Sequence, residues 1–479
     1  MRHLVRSRLS PLVVALLAMT ACRMVGRGGP EYDAVSIVEG RATGGAHADT
    51  TEAPFTVSID RARWSLRTRN ASSRDFWEDI AVLDVLNAEK AARSVDERTF
   101  AVALRTLMES DPDAAAVVFG ALHANSNDFN VRTRSRVGLT MALSWRSDWP
   151  ALANLPEDID SATAGVDKIV QQAGVERWAR ALKSVPSPTI TLPNEPVVLP
   201  MRRSAFGTPI VTVRVNGREQ EFWLDTGASM TLLSAAVAVD AKVTLAAPDT
   251  LALGVVAGHI PARAVFIDSL SLGPVVAEGI TAALVAPGTL RLDRRVAHGI
   301  VESVPIAGVI GTDLLRHLDI TLDAGAGTIT IRRPRRDVHA PRNLFWVGYP
   351  VVRLVTKDGR PVLFGLDTGA EGTYVTTALL RKLPHTPVAA RRMSLGGLGP
   401  DREQTQFVAR EVTLSDGDYA IALHNIPITP DRRWTFVAFD GVIGSDVALA
   451  SRMHLDFTNG VFDVRPAERL DVIKVTVNP

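Results

Sequence analysis

The sequence predicts a multidomain chain, an N-terminal all-α helical region followed by an all-β region of two tandem lobes. Three observations predict it. Apolar residues recur at three- and four-residue spacing between about Ser73 and Leu182. Prolines then crowd residues 183–200, where no helix interior would tolerate them. Beyond them, short β-branched runs cut by Gly, Pro and Asp occur as two copies of one pattern. The boundaries read this way are 1–22 for an export signal, 23–55 for a flexible tether and 56–182 for the helical domain. A proline-rich linker spans 183–200, and the lobes follow at 201–336 and 337–479.

At 479 residues the chain is too long for one ordinary domain. Hydrophobic residues make up 46% and charged residues 22%, a composition of packed domains rather than of disorder. Lys and Arg number 53 against 52 Asp and Glu, so the basic excess of a nucleic-acid binder is missing.

The N-terminus carries its own signals. Arg2, His3, Arg6 and Arg8 precede the apolar run Pro11–Ala18, which is too short to span a bilayer. Met19-Thr20-Ala21-Cys22 then resembles a bacterial lipobox, with Met19 where Leu is usual. That resemblance implies lipidation of Cys22 and an exported protein anchored to a membrane, with the outer membrane favoured because Arg23 follows. Cys22 is the lone cysteine, so the domains after it contain no disulfides, zinc–thiolate sites or cysteine nucleophiles.

In the helical region Phe76, Ile80, Leu83 and Leu86 mark one face. Ser94-Val-Asp-Glu97 is a capping-box signature, and Phe100 and Leu104 follow it on one face. Asp111-Pro112 reads as an N-cap with proline at the first helical position, before Ala115, Val118 and Leu122. A further helix is expected over 133–144. Helix pairs of this length suit a tetratricopeptide array, but its diagnostic aromatic and glycine positions are missing, so a small bundle is expected. Thr189–Leu192 reads as an edge strand within the linker.

The two β copies can be laid over each other. Val211–Gly217 leads into Glu221-Phe-Trp-Leu-Asp-Thr-Gly-Ala228, and Val352–Gly359 into Leu363-Phe-Gly-Leu-Asp-Thr-Gly-Ala370. Asn216-Gly217 and Asp358-Gly359 are two-residue hairpin signals, each at the same distance before its Asp-Thr-Gly. Downstream, Gly254 matches Gly396, and Gly308-Val-Ile-Gly-Thr-Asp313 matches Gly441-Val-Ile-Gly-Ser-Asp446. Thr312 and Ser445 read as N-caps of short helices. One Asp-Thr-Gly would be weak, since a chain this long holds the tripeptide by accident on the order of one time in ten. Two copies with matching flanks are a duplication.

This pattern resembles the aspartic peptidases, and Asp-Thr-Gly-Ala is closer to the retroviral-type lobe than to the pepsin-type lobe. The Gly-Val-Ile-Gly stretches are similar to that family's second signature, a strand threading beneath the catalytic loop. The resemblance covers roughly residues 200–470 and leaves the helical region unaccounted for. It implies a peptide or protein substrate, no cofactor or metal, and a catalytic pair of Asp225 and Asp367. Two neighbouring carboxylates share one proton and so supply both a base for water and an acid for the leaving group. Gly227 and Gly369 permit the tight turn that exposes each carboxylate. By resemblance, Thr226 and Thr368 hydrogen-bond across the interface. Ala228, Ser229, Ala370 and Glu371 line the substrate groove, and loops at Gly254 and Gly396–Gly399 form flaps. Ser229 lacks the charge that Glu371 carries at the matching position, and neither flap holds a tyrosine, so the cleft is expected to be asymmetric and unlike pepsin's. A non-enzymatic peptide-binding scaffold and a dimer with lobes paired between chains are the alternatives. The intact motifs and the short connection at 334–341 favour hydrolysis by a monomer with lobes paired within one chain.

Overall fold

The computed structural model describes residues 21–24, 31–33, 55–62, 75–155, 166–255, 258–295, 301–397 and 399–467. The expected signal before Ala21 and most of the expected tether lie outside the described residues. One strand straddles the expected boundary between signal and tether, and another lies within the tether. Ala21–Met24 and Glu31–Asp33 pair with Pro387–Gly397, whose edge offers unpaired backbone groups.

The helical region contains Phe76–Ala81, Val85–Ala91, Val95–Met108, Pro112–Asn125, Phe129–Trp145, Trp149–Ala153 and Val166–Leu182. Local chemistry starts them. Ser94 Oγ accepts from Glu97 N at 3.0 Å, and Asp128, not Thr133, opens the long helix that 133–144 only partly captured. Three corners between helices repeat one design. Asp84, Asp111 and Asp148 cap the next helix with their carboxylates, while their own N–H groups reach back to the carbonyls of Asp79, Thr106 and Leu143. This back-bonded turn needs a left-handed residue just before the aspartate, where glycine is usual. Leu83, Ser110 and Ser147 stand there at φ 56°, 62° and 53°, at a cost of about 1–2 kcal/mol each.

Each strained corner touches the β region. Leu83 O accepts from Arg353 Nη2 at 2.6 Å, Ser110 Oγ donates to Phe457 O at 2.7 Å, and Ser147 Oγ accepts from Arg316 Nη2 at 3.1 Å. Phe100 meets Phe436 edge-on, with centroids 5.8 Å apart, and Trp145 meets Trp346 in the same way at 5.1 Å. The expected start of the helical domain at residue 56 is corrected. Thr56–Arg61 is a strand paired with Tyr419–Thr429 of the second lobe, a partner too distant in sequence for local periodicity to reveal. The expected linker likewise contributes strands: Thr189–Thr191 pairs with Val275–Val285, and Val197–Arg203 with Pro209–Val215.

Each lobe repeats the same path. Pro209–Val215 and Arg218–Leu224 form a hairpin, as do Pro350–Thr356 and Pro361–Leu366. Alternate residues of Pro209–Val215 are buried, the signature of a sheet with one covered face. Asn216 and Gly217, at φ 47° and 81°, make the expected two-residue turn. The second hairpin departs from expectation. Thr356 N donates to Arg360 O at 3.0 Å, so three residues form the loop, and of these Gly359 alone has positive φ. Long hairpins follow, Thr244–Val255 with Gly258–Leu272 and Pro387–Gly397 with Gly399–Ser415.

The lobes meet in a shared antiparallel sheet. Asp319–Asp323 and Thr328–Arg332 from lobe 1 lie beside Ser451–Asp456 and Val461–Pro466 from lobe 2. Its register is that of a twofold. Asp319 faces Asp456, Asp323 faces Arg452, and the equivalent residues Thr321 and His454 face each other at the centre. Ile320, Leu322, Ile329, Ile331, Met453 and Leu455 bury one side of this sheet.

Candidate active site

Each apolar strand ends in a buried leucine, Leu224 or Leu366, and delivers its aspartate to the same place. The strand beneath sets the height of each loop. Gly308–Ile310 pairs in parallel with the end of Arg218–Leu224, and Asp225 N donates to Ile310 O at 3.0 Å. Gly441–Ile443 does the same in lobe 2, where Asp367 N donates to Ile443 O at 2.9 Å.

Thr226 and Thr368 then lock the loops to each other. Thr226 N donates to Thr368 Oγ1 and Thr368 N to Thr226 Oγ1, both at 3.0 Å. Each hydroxyl passes its proton across the interface, Thr226 Oγ1 to Leu366 O at 3.0 Å and Thr368 Oγ1 to Leu224 O at 2.7 Å. All four bonds are buried, where a lost partner costs about 1–3 kcal/mol.

The glycines are explained by proximity rather than by backbone angle. A Cβ on Gly227 would stand 2.4 Å from Asp367 Cγ, and one on Gly369 2.3 Å from Asp225 Cγ. Each glycine therefore makes room for the opposite lobe's carboxyl. Asp225 and Asp367 are both fully buried. Asp225 Oδ1 accepts from Gly227 N at 2.8 Å and from Gly369 N of the other lobe at 3.2 Å. Asp367 Oδ1 accepts from Gly369 N at 3.1 Å and Ala370 N at 2.9 Å. Each Oδ2 is buried and receives no backbone N–H or hydroxyl among the described residues.

Burial pushes Asp225 up to about 6 against the pull of its backbone donors. Burial also raises Asp367, and the neighbouring Asp225 charge raises it further, so it lies well above the ordinary carboxylate range. One proton held between two carboxyls is the consequence.

A support the sequence reading passed over lies behind each loop. Asp313 takes two bonds from Thr231, N to Oδ2 at 2.9 Å and Oγ1 to Oδ1 at 3.0 Å. Asp446 holds Thr373 identically, both bonds at 2.7 Å. Both threonines sit at the same distance past the Asp-Thr-Gly aspartates, a repeat visible in the alignment of the copies. Burial raises both supporting aspartates to about 6. The expected caps are corrected here. Gly311 and Gly444 are the N-cap residues, and Thr312 and Ser445 lie inside their helices. Their side chains serve the loops instead: Thr312 Oγ1 donates to Ala228 O at 3.0 Å, and Ser445 Oγ to Glu371 O at 3.2 Å.

Ala228 and Ala370 are buried, while Ser229 and Glu371 are half-buried just beyond them. Gly254 is buried, four residues from the start of Gly258–Leu272 and paired with His259. Gly396 lies near the tip of the matching hairpin, and Cys22 lies in Ala21–Met24, paired with Leu395. Among the described residues no group of three or more His, Cys, Asp or Glu could hold a metal ion.

Residues 211–314 match the family described as Aspartyl protease. A comparison with curated proteins gave no match. Among solved structures, the chain is similar to the crystal structure of a retropepsin-like aspartic protease from Rickettsia conorii. The two are 15% identical with a TM-score of 0.19, over 30% of this chain and 92% of that one. The aspartyl protease match thus falls on the first lobe, and the second lobe repeats its Asp-Thr-Gly motif.

Proposed function

We propose that the protein is an aspartic endopeptidase whose water-activating pair is Asp225 and Asp367. The observation that carries this is the reciprocal packing of the two loops, in which each glycine abuts the opposite carboxyl and the threonines bond across. A structural turn has no need to bury two carboxyls against each other. In the singly protonated pair, the ionised member takes a proton from water as the water attacks the scissile carbonyl carbon. The protonated member gives its proton to the carbonyl oxygen, and the leaving amine is protonated as the C–N bond breaks. The Oδ2 oxygens face this task, since the backbone donors hold Oδ1.

The substrate is an extended peptide lying across the lobe interface beneath the hairpin tips near Gly254 and Gly396–Gly399, with Glu371 on one side only. Cys22 is the lipid-anchored N-terminus of the exported protein, which holds the enzyme at a membrane. Cys22→Ser protein should leave the membrane fraction or fail to be processed; retention after high-salt washing would remove the anchor from this reading. Incubating the chain from residue 23 onward with a mixed peptide library across pH, beside its Asp225→Asn variant, tests the activity. Cleavage by the parent alone supports the peptidase; no cleavage by either leaves a peptide-binding scaffold.

A further inference from the structure

The helical region meets lobe 1 at two places that serve the site. Trp178, 3% exposed on Val166–Leu182, donates its Nε1–H to Ala252 O at 3.1 Å. Ala252 lies on the arm of the long hairpin, in a strand at the edge of its sheet and opposite Pro261. Pro261 has no N–H to offer, and an edge strand has no neighbour on its other side. Among the described residues the indole supplies a donor that neither Pro261 nor a further strand offers.

The second place is Arg316, 3% exposed, one turn past Asp313. Its Nη2 donates to Ser144 O and to Ser147 Oγ, both at 3.1 Å, at the end of Phe129–Trp145. Its guanidinium lies 5.5 Å from the centre of the Trp346 ring, and its charge acts on Asp313, which holds the loop of Asp225 through Thr231. In the duplicated frame the lobe 2 counterpart of Arg316 is Leu449, as 133 residues separate Asp313 from Asp446. Leu449 packs over Gly207, with no bond to the helical region among the described residues.

We infer that the helical region is a positioning element of the active centre, acting on the Asp225 loop through Arg316 and on the lobe 1 flap arm through Trp178. The inference rests on the peptidase reading for its kinetic part only. It accounts for a serine, where the turn favours glycine, at the left-handed position 147, since its hydroxyl accepts from Arg316.

Hydrogen exchange and steady-state kinetics on the full chain test it. Arg316→Leu, which installs the lobe 2 residue, should lower kcat about tenfold or more with KM held, because misplacing a reacting group costs rate. Exchange should quicken over 225–231 and not over 367–373. Arg316→Lys should recover part of kcat. Trp178→Phe keeps a ring but removes the donor, and should raise KM about threefold to tenfold with kcat held. Its faster exchange should be confined to 244–255. Ser147→Gly relieves the left-handed strain and tolerates folding, so its loss of kcat would report the Arg316 contact alone. Uniformly faster exchange throughout the chain, or kinetics and exchange unchanged in all the variants, would overturn the inference. A parent without peptidase activity would remove the kinetic arm and the peptidase reading, while the localised exchange pattern would still decide this one.

Discussion

The two lobes share one plan, yet they are braced differently. In lobe 1, Arg316 ties the helix behind the Asp225 loop to the helical region, and Trp178 ties down the flap arm. In lobe 2, the corresponding Leu449 packs against Gly207 of lobe 1, and the flap arm pairs with Ala21–Met24. The lobe 2 hairpin base is instead touched through Arg353, whose Nη2 reaches Leu83 O. The parts that handle the proton are held in common: Asp-Thr-Gly, the strand below it and the Thr–Asp support. The parts that handle geometry from outside have diverged. A duplicated site thus keeps its chemistry symmetric and takes its asymmetry from whatever packs around it.

That division can be broken most severely at the glycines. Gly227→Ala and Gly369→Ala each place a methyl group within 2.4 Å of a carboxyl carbon on the other lobe. Both should reduce hydrolysis by about 100-fold or more, since the reacting groups separate by roughly the added methyl group. Equal losses from the two would show a shared centre. A loss from only one would mean that the lobes work separately.

The cross-lobe threonines come next. Thr226→Val or Thr368→Val removes a hydroxyl that both accepts and donates in a buried site. Chemical denaturation should report about 2–4 kcal/mol lost from either, with the double variant losing less than the sum because both change one network. Additive losses would argue against the reciprocal arrangement.

The two Thr–Asp supports are buried alike and should titrate alike. Burial raises Asp446 from an ordinary 3.8 to about 6, and Asp313 likewise, so the folded protein binds these protons more tightly than the unfolded chain. Their contribution is fully present below about pH 4 and is lost as pH rises through about 6, by roughly 3 kcal/mol at most for each. Asp446→Asn should therefore flatten the fall in stability between pH 4 and 7. An unchanged slope would mean that Asp446 is already ionised in the folded state at low pH.

The smallest effects lie in the hairpin turns. Gly217→Ala forces φ 81° on a residue with a Cβ in a turn with open space, and Gly359→Ala does the same in the longer loop. About 1 kcal/mol from each is expected in thermal unfolding, with activity unchanged. A change in kcat from Gly217→Ala would show that the turn communicates with Asp225.

The paired motifs were legible because their chemistry lies in contiguous residues repeated at matched intervals. The adjacent aspartates, the glycines and the strand beneath each loop were all readable from the two copies. What connects the helical region to them was not. Arg316 and Ser147 are far apart in sequence, and no local rule marks either as a partner. Thr56–Arg61 misled for the same reason, being a six-residue strand whose partner lies in the second lobe. Thr312 and Ser445 looked like caps because their residue types suit that role, but the backbone places glycine there. Gly311 sits so close to Met230 that a Cβ would come within 2.7 Å of its backbone. The Asp358-Gly359 pair carried the signal for a tighter turn than the one that forms.

The most direct test is peptide hydrolysis by Asp225→Asn and Asp367→Asn, measured side by side on the full chain with folding verified by thermal unfolding. A pair sharing one proton needs both carboxyls, so each single variant should be inactive to the limit of detection while remaining folded. Near-normal turnover by either one would contradict a single centre built across the two lobes.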